Sequence, residues 1–234
     1  MGSKALLICD HASHRVPAAL GALGLDDALL KLHVGWDIGV ADVTRRLAAR
    51  LDAPAVLAGY SRLVIDCNRR PGTPESITEV SDGIDIPGNR GLDPAQRAAR
   101  EAACFRPYHQ AIEAALARRP RPPLLVSLHS FTPVMAGVER PWQVGILWHR
   151  DRELARRLIN ALRADPALSV GDNQPYSGRS PLGYSIPVHA RDLPHVMIEL
   201  RQDLIDTHRG AAAWADILAA ALAPLMADAR EVGA

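Results

Sequence analysis

The 234-residue chain is short of cysteine and aromatic residues, has no surplus of either charge, and contains no long apolar run. Each shortage closes off a class of protein. The three cysteines, Cys9, Cys67 and Cys104, are an odd number with no C-x-x-C spacing. That argues against a disulfide framework and makes a reducing cytoplasm the expected compartment. Phe, Tyr and Trp together make up 4% of the chain, so stacking surfaces for bases or sugars are scarce. Lys and Arg number 27 against 26 Asp and Glu, a formal net charge of +1. Nucleic acids and membrane surfaces both demand a concentrated basic footprint, so neither is expected as a partner. No apolar run nears the roughly 20 residues of a membrane helix, and the opening residues lack an export-signal pattern. Familiar catalytic loops are missing too. "GALGLDD" has neither the Lys-Ser/Thr nor the glycine spacing of a phosphate loop. "VSLHS" and "PYSGRS" lack the G-x-S-x-G elbow of serine hydrolases.

What is present is an ordinary globular composition, 48% hydrophobic and 23% charged, at a length that suits one domain over 1–234. Most of the positive charge is Arg, whose fork grips carboxylates with two hydrogen bonds. Short apolar runs alternate with helical patterns. "ALLIC", "APAVLAG", "RLVIDCN", "PPLLVSLHS", "WQVGILW" and "PHVMIELRQ" read as strands. "DIGVADVTRRLAARL" has helical apolar spacing, so a helix is expected to open near Asp37. "LDPAQ" predicts a capped start, with Asp93 as cap, Pro94 in the first turn and Gln96 closing a capping box. Pro107 is expected to kink or break that helix. The stretch from Arg69 to Asn89 is rich in Pro, Gly and Ser and reads as a long loop; so does 172–190. An Ala-rich helix from about Arg209 to Ala229 could cover the sheet or serve a homo-oligomer. This alternation predicts a three-layer α/β fold, a mostly parallel central sheet with helices on both faces.

Four of these runs end alike. "LLICDHASH", "RLVIDCNR", "LLVSLHS" and "VMIELRQ" each finish an apolar stretch with His, Asp, Arg or Glu. Ligands of open α/β sheets bind outside the carboxyl ends of the strands. If the four are parallel neighbours, His11, Asp66, Asn68, Arg69, His129, Glu199 and Arg201 meet in one crevice. Two histidines and a carboxylate there suit a three-ligand zinc site with one open position. Mn, Fe, Co or Ni would also fit such donors. Asp37 is either the third ligand or a helix N-cap. Glu199, among apolar neighbours, is either a general base or the buried partner of an arginine. His14, three residues after His11, is a weaker chelation candidate. Cys9 and Cys67 lie in apolar runs and read as inert core residues.

The ordered blocks "CDHAS", "GWDIG", "SRLVIDCNRRP", "RPYHQAI", "SLHSFTP", "LGYSIPVHA" and "MIELRQDLI", from about residue 5 to 208, together resemble the N-formylglutamate amidohydrolase family. The resemblance implies a fold similar to the zinc exopeptidases. It also implies hydrolysis of N-formyl-L-glutamate to formate and glutamate, a late step of histidine degradation. By similarity His11, Asp37 and His129 are the metal positions and Glu199 the catalytic carboxylate. Arg62 and Arg69 match a substrate-binding block, with Asn68 and Arg201 as further candidates. Tyr184 and His189 could close over the substrate. The chain departs from the family pattern in being short and in having His14 where Asn is expected. Two alternatives accompany this reading: a metal-dependent deacylase of another N-acyl amino acid, and a non-catalytic binder of an acidic metabolite.

Overall fold

The computed structural model describes residues 4–119 and 121–228. In chain order the elements are β1 (Ala5–Cys9), α1 (Asp27–Leu30), α2 (Val40–Arg50), β2 (Ala55–Leu57), β3 (Val80–Ser81), β4 (Ile84–Asp85), α3 (Pro94–Arg100) and α4 (Arg106–Ala117). They continue with β5 (Leu124–Phe131), β6 (Val134–Met135), β7 (Val138–Glu139), β8 (Val144–Leu147), α5 (Arg152–Arg163), β9 (Val170–Asp172), α6 (Ser185–His189), β10 (His195–Arg201) and α7 (His208–Asp228). Ala229, the expected last residue of α7, lies outside the described residues.

Six strands form one sheet in the order β2-β1-β5-β10-β8-β9. All neighbours are parallel except β8 and β10. The two-residue alternation of side chains splits the core cleanly. Ala5, Leu7 and Cys9 of β1 join Leu124, Val126 and Leu128 of β5 and Val196, Ile198 and Leu200 of β10 beneath α2, α5 and α7. Leu6, Ile8 and Leu125 face the other way, against Tyr108 and Ile112 of α4 and Ile186 of α6. The result is the expected three-layer arrangement, and α7 packs as a covering helix, with Trp214, Leu218 and Leu222 in the first cluster.

Three local expectations are corrected. "RLVIDCN" is not a strand; residues 62–69 run through turns. Leu63, Val64 and Ile65 are apolar because they fill a satellite core with Leu23, Ile77, Ile86 and Phe105 under the 69–90 segment. That segment is not an open loop, since it holds the β3–β4 hairpin. Asn89 fastens it, donating to the carbonyls of Leu63 at 2.9 Å and Thr78 at 2.7 Å. Pro107 does not break its helix. The Asp93–Gln96 capping box opens α3 as predicted, and a π-helical turn, Glu101–Phe105, then carries the chain into α4. A widened turn lets the axis continue past a residue that cannot donate an N–H.

Candidate active site

Three adjacent parallel strands, β1, β5 and β10, deliver the site at their carboxyl ends. Parity decides which face receives it. On β5 the residues alternating with the apolar core positions are Leu125, Ser127 and His129; on β10 they are Met197 and Glu199. Glu199 and His129 are register partners across the two strands. His11 follows β1 directly, and its backbone carbonyl accepts the Asp37 N–H at 3.0 Å. Ser130 at the end of β5 donates its N–H to Asp37 Oδ2 at 3.2 Å and its hydroxyl to Ile38 O at 2.9 Å. Asp37 is thus set by the ends of two strands rather than by the helix after it. It does not cap α2, whose N-cap is Gly39. Gly39 has φ +79°, and a Cβ there would lie 2.2 Å from the carbonyl oxygen of Ile205, so no other residue fits the turn.

His11 and His129 turn the same nitrogen to the same oxygen. Nδ1 of His11 lies 3.3 Å from Asp37 Oδ2, and Nδ1 of His129 lies 3.0 Å from it. One donor atom from each of these residues falls within 4.8 Å of the other two. All three side chains are buried, as is Glu199 at 7% exposure. Two imidazoles and one carboxylate converging in this way could hold a divalent transition metal. Glu199 Oε2 is buried without a hydrogen-bond partner. Such an orphan is costly unless something else in the site uses it. The residues therefore fit a metal with a carboxylate beside it.

The electrostatics follow from packing. Burial pushes Glu199 up to about 7, with the negative Asp37 adding to the shift. Burial disfavours a charged imidazole, yet the carboxylates of Asp10 and Asp37 raise His129 well above its usual value, and Asp66 and Asp37 raise His11. The carboxylates that favour protons on these imidazoles would equally favour a cation, and metal binding would release those protons. Burial drives the Cys9 and Cys67 thiols well up, which keeps both inert.

A cavity of about 570 Å³ opens from this centre. His11, Asp37, Arg62, Asp66, Asn68, Arg69, His129 and Glu199 all line it. Segment 176–187 and the 75–82 region supply more of its wall. The arginines differ in their engagement. Arg62 donates through Nε at 3.1 Å and Nη2 at 2.7 Å to Asp66 Oδ2, and its Nη1 lies 3.5 Å from Asp37. It holds the site's own carboxylates. Arg69 donates to its neighbour's carbonyl, Asn68 O, at 2.9 Å. Asn68 Oδ1 accepts the N–H groups of Tyr184 and Ser185, so its side chain pins the start of α6.

Four residues singled out in the sequence are placed elsewhere. Arg201 turns to Asp203 through two hydrogen bonds, because the strand ends there and a short 3₁₀ turn carries an acid within reach. Tyr184 packs its ring against Phe105 and His109. His189 is buried and bonded to His109 at 2.8 Å. His14 stands edge-on to Trp36, apart from the donor set. Asp10, Tyr108, Ser185 and His109 also serve the site, and no sequence motif marks them. Tyr108 donates to Asp10 Oδ1 at 2.8 Å and Ser185 Oγ donates to the same atom at 2.6 Å. These contacts span 98 and 175 residues, and the only available signal was that Asp10 adjoins His11.

The sequence profile of the N-formylglutamate amidohydrolase family matches residues 3–206. No curated relative matches the chain. Among solved structures, a gene product of Agrobacterium tumefaciens is 36% identical with a TM-score of 0.93, covering 98% of this chain and 92% of that one. The N-formylglutamate amidohydrolase of Ralstonia eutropha JMP134 is 19% identical with a TM-score of 0.67, covering 98% and 94%. At that identity the likeness is one of fold.

Proposed function

From the premise that this chain belongs to the N-formylglutamate amidohydrolase family, we propose that it is a metal-dependent amidohydrolase of N-acyl amino acids, with N-formyl-L-glutamate as the first candidate substrate. The observation that carries the reading is the convergence of two imidazole Nδ1 atoms and Asp37 beside the buried, partnerless Oε2 of Glu199.

His11, Asp37 and His129 would hold the cation. When bound, a divalent metal polarises an amide carbonyl and brings water within reach of deprotonation near neutral pH. Glu199 takes a proton from the attacking water as the C–O bond forms. Its elevated pKa, about 7, suits it to accept that proton and to return it. The proton then goes to the amine nitrogen as the C–N bond breaks, releasing the acid and the free amino acid. Arg69 at the cavity wall is the guanidinium best placed to bind a substrate carboxylate. Arg62 keeps Asp66 and Asp37 in place. For N-formyl-L-glutamate the products are formate and glutamate, and the proposal includes a degradative role, such as a deformylation in histidine breakdown, and a cytoplasmic location.

The test is a panel of N-formyl, N-acetyl and N-succinyl amino acids, assayed for free amine with and without added Zn²⁺, Mn²⁺ or Co²⁺. Metal-stimulated release, fastest from N-formyl-L-glutamate, is the expected result. Turnover of only another acyl group moves the substrate assignment and keeps the reaction class. No release from any member, with any metal, removes the hydrolase reading.

A further inference from the structure

The two histidines present their Nδ1 atoms to Asp37, and their other nitrogens meet carboxylates that the donor set does not contain. His11 Nε2 lies 2.7 Å from Asp66 Oδ1. His129 Nε2 lies 3.2 Å from Asp10 Oδ2 and 3.1 Å from Ser127 Oγ. The Asp10 approach is off the axis of a hydrogen bond, since Oδ2 has no such partner. Each carboxylate is itself clamped. Asp66 receives two N–H groups from Arg62 and the backbone N–H of Asn68 at 2.8 Å. Asp10 receives the Tyr108 and Ser185 hydroxyls. Both are buried.

We propose that Asp66 and Asp10 are positioning residues, one for each histidine, that fix ring orientation and tautomer so that both Nδ1 atoms face a cation. The proposal rests on the metal reading above. A carboxylate behind a histidine holds the proton on the far nitrogen and makes the near one a better donor. The geometry assigns the job pairwise: Asp66 to His11 and Asp10 to His129. The means differ: Asp66 acts through a hydrogen bond, and Asp10 acts through its charge 3.2 Å from Nε2, where Ser127 Oγ is the hydrogen-bond partner. The arrangement also gives Ser185 a role. Ser185 opens α6, whose next residues, Ile186 and Pro187, line the cavity. The bond from Ser185 to Asp10 ties that wall to the orientation of His129.

The experiment measures Zn²⁺ and Co²⁺ affinity by competition with a chromophoric chelator at fixed pH, together with the visible spectrum of Co²⁺-loaded protein. Asp66→Asn and Asp10→Asn are expected to weaken binding about 10- to 100-fold while the Co²⁺ spectrum keeps the band intensity of the wild type. Ser185→Ala and Tyr108→Phe are expected to weaken it less, by about 3- to 10-fold, a fraction of that loss because the Asp10 charge remains. They also decide the Asp10 half if Asp10→Asn fails to fold, since unchanged affinity in both overturns it. Affinities within about twofold of wild type in both Asn variants overturn the proposal, a change well short of the expected loss. So does a loss as complete as that of His129→Ala, which would make the carboxylates ligands. Wild-type protein that takes up neither metal overturns the metal reading as well, which separates the two failures.

Discussion

The molecule buries two pairs of histidines on the same side of its sheet, and they are set in opposite directions. His11 and His129 lie 5.1 Å apart, centroid to centroid, among Asp10, Asp37 and Asp66. His109 and His189 are also 5.1 Å apart, but stacked, and their partners are neutral. His109 Nε2 donates to the carbonyl of Cys67 at 2.9 Å, which leaves its Nδ1 to accept from His189 Nε2 at 2.8 Å. Burial lowers both, and His189 falls to about 4, with His109 beside it contributing. The first pair is raised by its carboxylates despite comparable enclosure. Burial always disfavours the charged ring, and whether it wins is decided by the neighbours. On the proposed reading one pair would exchange protons for a cation, and the other stays neutral and holds α4 to α6.

The comparison breaks most sharply with substitution. His129→Phe should abolish metal uptake and turnover, whereas His109→Phe, among the rings of Phe105, Tyr108 and Tyr184, should leave metal stoichiometry intact; metal analysis of the two purified proteins reads this directly. Equal loss in both would erase the distinction. Next in size is Glu199→Gln, expected to retain the metal and to lower kcat by about 10²- to 10⁴-fold, the usual worth of a positioned acid–base group.

Acid stability separates the pairs more quietly. A histidine whose folded pKa is depressed binds fewer protons folded than unfolded between about pH 4 and 6.5. Its contribution is whole above the unfolded value of about 6.5 and is lost as pH falls toward 4. The raised pair has the opposite sign, so the two partly cancel in metal-free protein. Urea unfolding of metal-free wild type and His189→Phe removes that cancellation. The wild-type advantage should shrink by about 1–2 kcal/mol from pH 7 to pH 4, after allowance for water reaching part of the ring. A difference that does not vary with pH would show that His189 titrates normally. The smallest effect expected is from Tyr108→Phe, which removes one buried hydroxyl bond to Asp10 and should cost about 1 kcal/mol in urea unfolding.

Much of this site was legible before any coordinates. His11, His129 and Glu199 each follow a short apolar run, and parallel strands bring such ends together. Asp66 was legible as a residue but not as a place. The run before it is apolar because a satellite core lies under the 69–90 segment, and burial of either kind writes the same letters. Arg62 looked like a substrate anchor because its two internal carboxylates come from residues 37 and 66, which only the folded turn brings within reach. Asp10, Tyr108 and Ser185 were opaque for a plainer reason. Hydrogen bonds across 98 and 175 residues leave no local pattern, whereas strand parity leaves one at every second position.

The pairing of Glu199 with His129 makes the chemistry depend on counting. Deleting one residue within β10 would invert the facing of everything beyond it, exchanging Glu199 for Leu200, and the same deletion within β5 would exchange His129 for Ser130, while leaving composition almost untouched. Deleting two would restore the facing and shift the pair by one pleat. The central strands are therefore held to a spacing as strict as a reading frame.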